Sequence, residues 1–488
     1  MRVRFSLFFI LAVLALSATG SAHVNSPDVY YEGSAGPYHL MVTVQPPVVV
    51  PGLAQIQVRV VDGDVDKVEI RPMRMIGVGA KLAPTPDLTE RSAADPKLFT
   101  GQLWIMQRGS WKVQVVAEGK AGKGEVSVPL AAVSSAALGM GAGMAILLAV
   151  LGILLVAGIV GIIGAANREA VLEPGEELQP VQSKRSRWRM AFTAVIVIVG
   201  LFLANAWWNS DAKANAKLNY KLPHLQSALE AGNLLHLTLD NPNAPEPNRF
   251  GIENPERLRV DDIISDHGHL MHLFLVRPSD MRSFWHLHPE QIGYGEYATN
   301  LPSVPPGRYQ IFADVVHHTG FPETQVGVIE LPQVTGAAPS GDDAGANDLA
   351  PGETVATLSD GYRMVWERDG QSLKANQPIR FRFRVEDKDG KPATDLEDYM
   401  GMAGHAAFIN SDGTVFAHVH PAGSISMAAM NLAGNQGNKV NMASMHGPIS
   451  GEVSFPYGFP QAGEYHIFVQ VRRAGRIETA AFLAHVTN

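Results

Sequence analysis

The sequence of 488 residues contains no cysteine, which excludes disulfide bonds, thiolate metal sites and cysteine nucleophiles together. It also lacks an excess of basic residues. With 39 lysines and arginines against 47 acidic residues, the formal net charge is −8, and no basic footprint for nucleic acid is present. Any metal site must therefore use imidazole, carboxylate or thioether ligands.

Residues 1–22 have the pattern of a signal peptide. Arg2 and Arg4 precede an apolar run from Phe5 to Leu16, and small residues end the segment at Ala22. Cleavage after Ala22 would make His23 the new N-terminus. An uncleaved first membrane helix is the alternative interpretation.

Two further apolar runs, residues 136–163 and 190–208, are predicted to be transmembrane helices, since about 20 apolar residues span a bilayer. The segment between them, residues 164–189, carries a basic group at Lys184–Arg189. The positive-inside rule therefore predicts a cytoplasmic loop. The remaining parts are expected on the other side of the inner membrane, in the periplasm or outside the cell.

Three soluble stretches share one strand pattern, in which an aromatic residue lies two positions after a glycine and apolar and polar residues then alternate. It begins at Gly109, Gly307 and Gly463. This pattern is typical of a late strand in an immunoglobulin-like sandwich. The sequence thus predicts a mainly β protein with three such domains, at residues 23–135, 209–332 and 353–488, and a linker at residues 333–352.

The second and third domains repeat a histidine motif. His286-Leu287-His288-Pro289 matches His418-Val419-His420-Pro421, and each motif follows an apolar strand that begins with a histidine. Residues i and i+2 of a strand point to the same face, so each pair can bind one metal ion. The prolines place these pairs at a sandwich rim, open to solvent. A chance spacing on an exposed strand is the competing interpretation.

The third ligand of each site is expected from a neighbouring strand. His272 or His269 is the candidate in the second domain, and His405 in the third. His317 either completes the second site, together with Asp314, or lines a turn.

A methionine-rich insert distinguishes the third domain from the second. It contains Met427, Met430, Met442, Met445 and His446. Methionine is often a core residue, but a thioether selects Cu(I) whereas imidazole also suits zinc. Copper is therefore the predicted cofactor, ahead of zinc.

Several short motifs resemble the FixH/YtkA-like group of exported immunoglobulin-like domains. They are Ser26-Pro27-Asp28, Ala35-Gly36-Pro37-Tyr38 and Gly109-Ser110-Trp111 in the first domain, and Asp389-Gly390, Tyr399-Met400-Gly401-Met402 and Gly404-His405 in the third. The second domain resembles secreted proteins with the same His-Leu-His-Pro motif. These resemblances imply copper handling, with a copper-receiving protein or an oxidase assembly factor as partner.

His23 at a mature N-terminus is similar to the first residue of CopC-like copper carriers, where amine and imidazole would bind Cu(II) together. A histidine placed there by chance is the alternative.

The function predicted from these features is non-enzymatic copper binding, delivery or homeostasis at the inner membrane. Two other classes stay open. One is a cupin-like metal-dependent enzyme, although Glu290 follows His288 by only two residues. The other is a structural or adhesive protein that binds no metal.

Overall fold

The computed structural model of the chain describes residues 28–135, 139–169, 172–173, 175–177, 179–217, 219–242, 259–368, 370, 372–434, 449 and 451–488. The predicted signal peptide, His23, Met442, Met445 and His446 lie outside the described residues. The predictions made for them stay predictions.

The first domain is a sandwich of two antiparallel sheets with strand orders β1-β2-β3-β7-β6 and β5-β4-β8-β9. Alternation builds its core: Ala54, Ile56 and Val58 of β3 point inward, while Gln55 and Arg59 are exposed. The strands are β1 Val29–Ala35, β2 Tyr38–Gln45, β3 Gly52–Asp62, β4 Lys67–Arg74, β5 Asp87–Leu88, β6 Glu90–Arg91, β7 Leu98–Ile105, β8 Gly109–Gly119 and β9 Gly122–Ala132, with a 3-10 helix at Val78–Lys81.

Residues Ser134–Tyr220 form a separate unit of two helices, α1 (Ala142–Arg168) and α2 (Pro180–Ala216). Both are long and apolar enough to cross a membrane. They differ from the predicted spans because the basic group Lys184–Arg189 lies inside α2. A capping box and Pro180 start that helix, and Lys and Arg favour it. Gly164 lets the helices meet, since a Cβ there would lie 2.5 Å from the sulfur of Met190.

The second domain pairs a four-stranded sheet, β10-β11-β16-β15, with a six-stranded sheet in which β12-β17-β13-β14-β19 are neighbours and β18 pairs with β17. Its strands are β10 Gln226–Leu229, β11 Leu234–Thr238, β12 Ile263–Ile264, β13 His272–Val276, β14 Phe284–Leu287, β15 Glu290–Gly293, β16 Glu296–Asn300, β17 Gly307–His317, β18 Pro322–Leu331 and β19 Ala344–Ala346.

The predicted linker, residues 333–352, is partly a strand of this domain. β19 pairs with β14, and Gly345 lies directly against Trp285, because a Cβ at Gly345 would meet that ring at 2.3 Å. Gly345, within the predicted linker, therefore allows a close approach between strands.

The third domain combines the sheet β20-β21-β23-β27 with the sheet β22-β29-β28-β25-β26, in which β24 also pairs with β28. Its elements are β20 Val355–Thr357, a 3-10 helix at Ser359–Gly361, β21 Arg363–Glu367, β22 Leu373–Lys374, β23 Ile379–Glu386, β24 Leu396–Glu397, β25 His405–Asn410, β26 Phe416–Val419, α3 Met427–Ala433, β27 Glu452–Tyr457, β28 Gly463–Arg473 and β29 Arg476–Thr487.

The second and third domains pack through the outer faces of their larger sheets. Two ring pairs cross this interface reciprocally: Phe284 stacks on Phe468 and Phe416 stacks on Phe312, each with centroids 4.3 Å apart. Phe284 corresponds to Phe416 in the sequence repeat, and Phe312 corresponds to Phe468. The interface therefore has pseudo-twofold symmetry.

Because both faces of these sheets are covered, β13 is buried along its whole length. In sequence, strands that are buried on both faces appear as continuous apolar runs rather than as alternating apolar and polar residues.

The first domain packs against the third. Tyr30 of β1 belongs to the core of the third domain, and the ammonium of Lys112 donates to the carbonyl of Ala433 at 2.8 Å. In turn, side chains of α3, a helix of the third domain, pack in the core of the first domain. The three sandwiches are thus joined by buried contacts.

Candidate metal centre

Strand pairing brings three histidines of the second domain together. In the β13–β14 hairpin Phe274 faces His286, so His272 comes to lie beside the His286 and His288 pair. Their candidate ligand atoms all lie within 4.8 Å of one another. This set is called the first triad.

The second triad contains His405 and His420 of the third domain together with His267 of the second domain, and its ligand atoms also lie within 4.8 Å of one another. His267 stands on a two-residue turn closed by reciprocal backbone bonds between Asp266 and His269. Its φ of 53° and that of Gly268, 93°, are both positive, as a type I′ turn requires. This turn projects a second-domain imidazole toward the third domain.

His418 lies between the triads. Its ring centroid is 5.3 Å from that of His272 in the first triad and 5.5 Å from that of His405 in the second. Its Nδ1 is 3.5 Å from a carboxylate oxygen of Asp314, across the domain interface.

The hydrogen bonds of the first triad leave two lone pairs facing each other. His272 Nε2 donates to the carbonyl of Asp266 at 3.2 Å, so its Nδ1 carries a lone pair. His286 Nδ1 donates to Gln470 Oε1 at 3.0 Å, and Gln470 is itself oriented by donating to Thr479 at 3.1 Å. His286 Nε2 therefore carries a lone pair too.

These two acceptor nitrogens are 3.1 Å apart. In these tautomers the two lone pairs repel; a metal cation between them relieves the repulsion, and in the metal-free protein a proton on His286 Nε2 relieves it as an N–H···N hydrogen bond. Imidazole nitrogens that bind one tetrahedral ion at about 2.0–2.1 Å lie roughly 3.3 Å apart, so the observed separation fits a shared metal ion.

Other hydrogen bonds fix the tautomers of the remaining ligands. His288 Nδ1 bonds to Asp343 at 2.9 Å, and His420 Nδ1 donates to the carbonyl of Ile425 at 3.0 Å. Their Nε2 atoms are buried and have no hydrogen-bond partner among the described residues. An anchored Nδ1 with a free Nε2 is the usual arrangement of a histidine that binds a metal.

Burial keeps the cluster uncharged. It lowers the pKa of both His267 and His420 to about 4, with further lowering by the neighbouring imidazoles. For the same reasons the pKa values of His272, His286, His405 and His418 lie well below the ordinary value of 6.5. Neutral imidazole is the form that binds metals, so the site is prepared for them at neutral pH.

Two carboxylates lie beside the imidazoles. Asp266, 6% exposed, accepts the backbone N–H of Ala428 at 2.7 Å and lies 3.9 Å from His267 Nε2. Burial raises the pKa of Asp266. Burial also raises the pKa of Asp314 to about 7, although Thr324 donates a hydrogen bond to that carboxyl. A bound cation would lower both pKa values and would be partly neutralised by these groups.

The structure assigns the predicted ligands to different surroundings. The hairpin register places His272, rather than His269, at the position equivalent to His405. His269 stacks on His288 with centroids 3.9 Å apart and bonds to Asp342 at 3.1 Å, which places it beside the first triad.

The predicted solvent-open rim is wrong: His286 is fully buried and His288 is 9% exposed, because the third domain covers them.

His317 lies in an ion-pair network outside both triads. Its Nδ1 contacts Asp262 at 2.5 Å, and its Nε2 lies 3.5 Å from Glu323. Burial lowers the pKa of His317, but the two carboxylates outweigh this effect and raise it to about 9. A protonated histidine cannot bind a metal, so of the two interpretations for His317 the structure favours the structural one.

Met427 and Met430 lie in α3 and pack in the apolar core of the first domain. The structure thus gives these two methionines the role of core residues. Sequence analysis did not expect the first domain to cover this helix, and it therefore assigned them as soft ligands.

Sequence reasoning missed several residues of the site. His267 was missed, although it forms a third His-x-His pattern with the candidate ligand His269, and this pattern was the available signal. Asp343 and Gln470 were missed because they lie 55 and 184 residues from the histidines that they contact, and only the tertiary fold brings them there.

Comparisons with known proteins add a family match and fold likenesses. Residues 355–488 match the family model of a domain of unknown function, DUF8832. No curated protein matches the sequence.

Among solved structures, the FN1–FN3 domains of chicken CNTN1 are 9% identical, with 94% of this chain and 99% of that chain covered and a TM-score of 0.14. A Ca²⁺-stabilised ice-binding adhesin of an Antarctic bacterium is 6% identical (97% and 92% covered, TM-score 0.16). Salmonella alpha-2-macroglobulin is 9% identical (96% and 24% covered, TM-score 0.20). At these TM-scores the likenesses carry no functional argument.

Proposed function

We propose that the chain is a membrane-anchored copper-binding protein whose three sandwiches lie in the periplasm. The observation that carries this proposal is the pair of acceptor nitrogens of His272 and His286, which face each other at 3.1 Å inside a buried group of neutral imidazoles. A cation between these two nitrogens would be bound by both, so the arrangement supplies a set of ligands.

Copper is favoured over zinc by the chemistry of the site and its surroundings. An imidazole set binds divalent ions in the Irving–Williams order, in which Cu²⁺ stands above Zn²⁺. The absence of cysteine leaves imidazole and carboxylate as ligands, and the site contains no thiolate that would be oxidised outside the cytoplasm. The resemblance to FixH/YtkA-like domains points to copper handling, with a copper-receiving protein or an oxidase assembly factor as the partner.

The cupin-like alternative finds no support in the position of its acid. Glu290 lies in β15, which belongs to the smaller sheet of the second domain, and its side chain is exposed. The histidine pair lies on the outer face of the larger sheet. We therefore propose binding rather than catalysis as the function of this site.

Metal preference is tested by competition on the purified full chain in detergent. Copper is expected to displace bound Zn²⁺ completely at equal concentrations, whereas excess Zn²⁺ leaves bound copper in place. His286→Ala is expected to weaken the binding of both metals to the first triad at least 100-fold. His485→Ala, which changes a side chain that is 72% exposed, serves as the matched control. Zinc that resists displacement by copper would contradict the copper assignment.

The membrane orientation is tested by proteolysis of intact spheroplasts. Since the basic group Lys184–Arg189 is expected to stay in the cytoplasm, added protease should digest epitopes in both the first and third domains. An epitope inserted after Glu177, between the helices, should be protected until the membrane is lysed. Protection of either sandwich epitope would overturn the periplasmic assignment.

A further inference from the structure

The histidine cluster contains more free ligand atoms than one metal ion can bind. Six buried ring nitrogens of the cluster have no hydrogen-bond partner among the described residues: those of His267 Nε2, His288 Nε2, His405 Nδ1, His405 Nε2, His418 Nε2 and His420 Nε2. A neutral imidazole has one lone pair, so His405 counts once and these nitrogens give at most five ligand atoms, to which His272 and His286 add two. Copper and zinc take about four such ligands.

The free nitrogens are divided into two groups, the first triad and the second triad. Each group is compact by itself, with its ligand atoms within 4.8 Å of one another. Ring centroids lie at most 5.4 Å apart in the first triad and at most 5.6 Å apart in the second, whereas those of His267 and His272, and of His286 and His405, are 6.0 Å apart. Two neighbouring centres therefore describe the cluster better than one enlarged centre does.

We infer that the cluster binds two metal ions side by side, one in each triad. This inference rests on the proposed metal-binding function and extends it to a binuclear centre. His418, which lies between the triads, supplies a further imidazole at their junction.

The second ion would bind ligands from both domains. His267 reaches the second triad from the second domain, whereas His405 and His420 belong to the third. Neither domain alone holds the complete ligand set, so this centre forms only when the pseudo-symmetric interface is assembled. The first triad, in contrast, belongs to the second domain, and the third domain contributes Gln470 and the Tyr399 hydroxyl, which lie 3.0 Å and 3.4 Å from His286 Nδ1.

The surrounding charges suit two cations. Asp266 lies beside the second triad, and Asp314 lies beside His418. Asp342 and Asp343 bond to His269 and His288 at the outer edge of the first triad. Each centre thus has carboxylates close enough to offset part of the charge that buried metal ions would bring.

The stoichiometry of copper bound to the full chain in detergent tests this inference. Wild type is expected to retain two copper ions per chain after desalting. His288→Gln in the first triad and His420→Gln in the second are matched variants, because each replaces the second histidine of its His-x-His motif. Each is expected to retain one ion, and the double variant none.

The possible failures are distinguishable. Wild type with no copper would overturn the proposed function itself. One ion in wild type, or loss of all copper from either single variant with an unchanged circular dichroism spectrum, would overturn only the binuclear centre. If a glutamine variant fails to fold, the equivalent pair His272→Gln and His405→Gln provides the same comparison.

Discussion

Removal of copper from the full chain is expected to lower its melting temperature by on the order of 10 °C. The apo protein keeps at least six buried ring nitrogens without hydrogen-bond partners among the described residues. Each such group costs about 1–3 kcal/mol. A ligand at 1,000 times its dissociation constant stabilises the folded state by about 4 kcal/mol, and each kcal/mol shifts the melting temperature of a large domain by roughly 2–4 °C.

The measurement is thermal unfolding of the detergent-solubilised chain before and after treatment with a copper chelator, followed by copper readdition. Wild type and His485→Ala should show the full, reversible shift. Copper-loaded His286→Ala should melt between the apo and the loaded wild type, because the second triad keeps its ion. Equal melting temperatures for the stripped and loaded wild type would mean that the cluster is stable without metal.

Copper is expected to stay bound well below pH 6.5 and to be released only as the pH approaches about 4. Unperturbed imidazole titrates near pH 6.5, but burial lowers the pKa of His267 and His420 to about 4. Protons therefore compete poorly with the metal across this interval. A solvent-exposed histidine site would lose its metal near the ordinary value.

The same shifts predict how the stability of the apo protein depends on pH. Because these histidines bind protons more weakly when folded than when unfolded, their contribution to stability is full above pH 6.5 and falls as the pH drops from 6.5 toward 4. Dialysis against buffers between pH 7 and pH 3.5, with copper measured in each fraction, tests the release. Half-release at pH 6.5 or above would contradict a buried site.

Much of the fold was predictable because strands leave a local signal. The glycine that precedes each late strand, as at Gly109, Gly307 and Gly463, is found at the start of β8, β17 and β28. The alternation of buried and exposed residues along β3 is a local signal of the same kind. These features depend on neighbours along the chain, which is why sequence reasoning can find them.

The joining of two histidine motifs into one cluster was not predictable by the same reasoning. It depends on the packing of the second domain on the third, as seen in the ring stacks of Phe284 on Phe468 and Phe416 on Phe312. Sequence analysis treated the domains as independent and expected one separate site in each. The continuous burial of β13 was a signal of a covered outer face, but it did not identify what covers it.

The central claim is that buried imidazoles from two domains bind copper, and X-ray absorption at the copper edge of the loaded full chain tests it most directly. We predict a first shell of nitrogen atoms at about 2.0 Å with the outer-shell scattering of several imidazole rings, reduced in His286→Ala and unchanged in His485→Ala. Imidazole scattering that is the same in His286→Ala as in wild type, or a first shell without imidazole, would contradict the account.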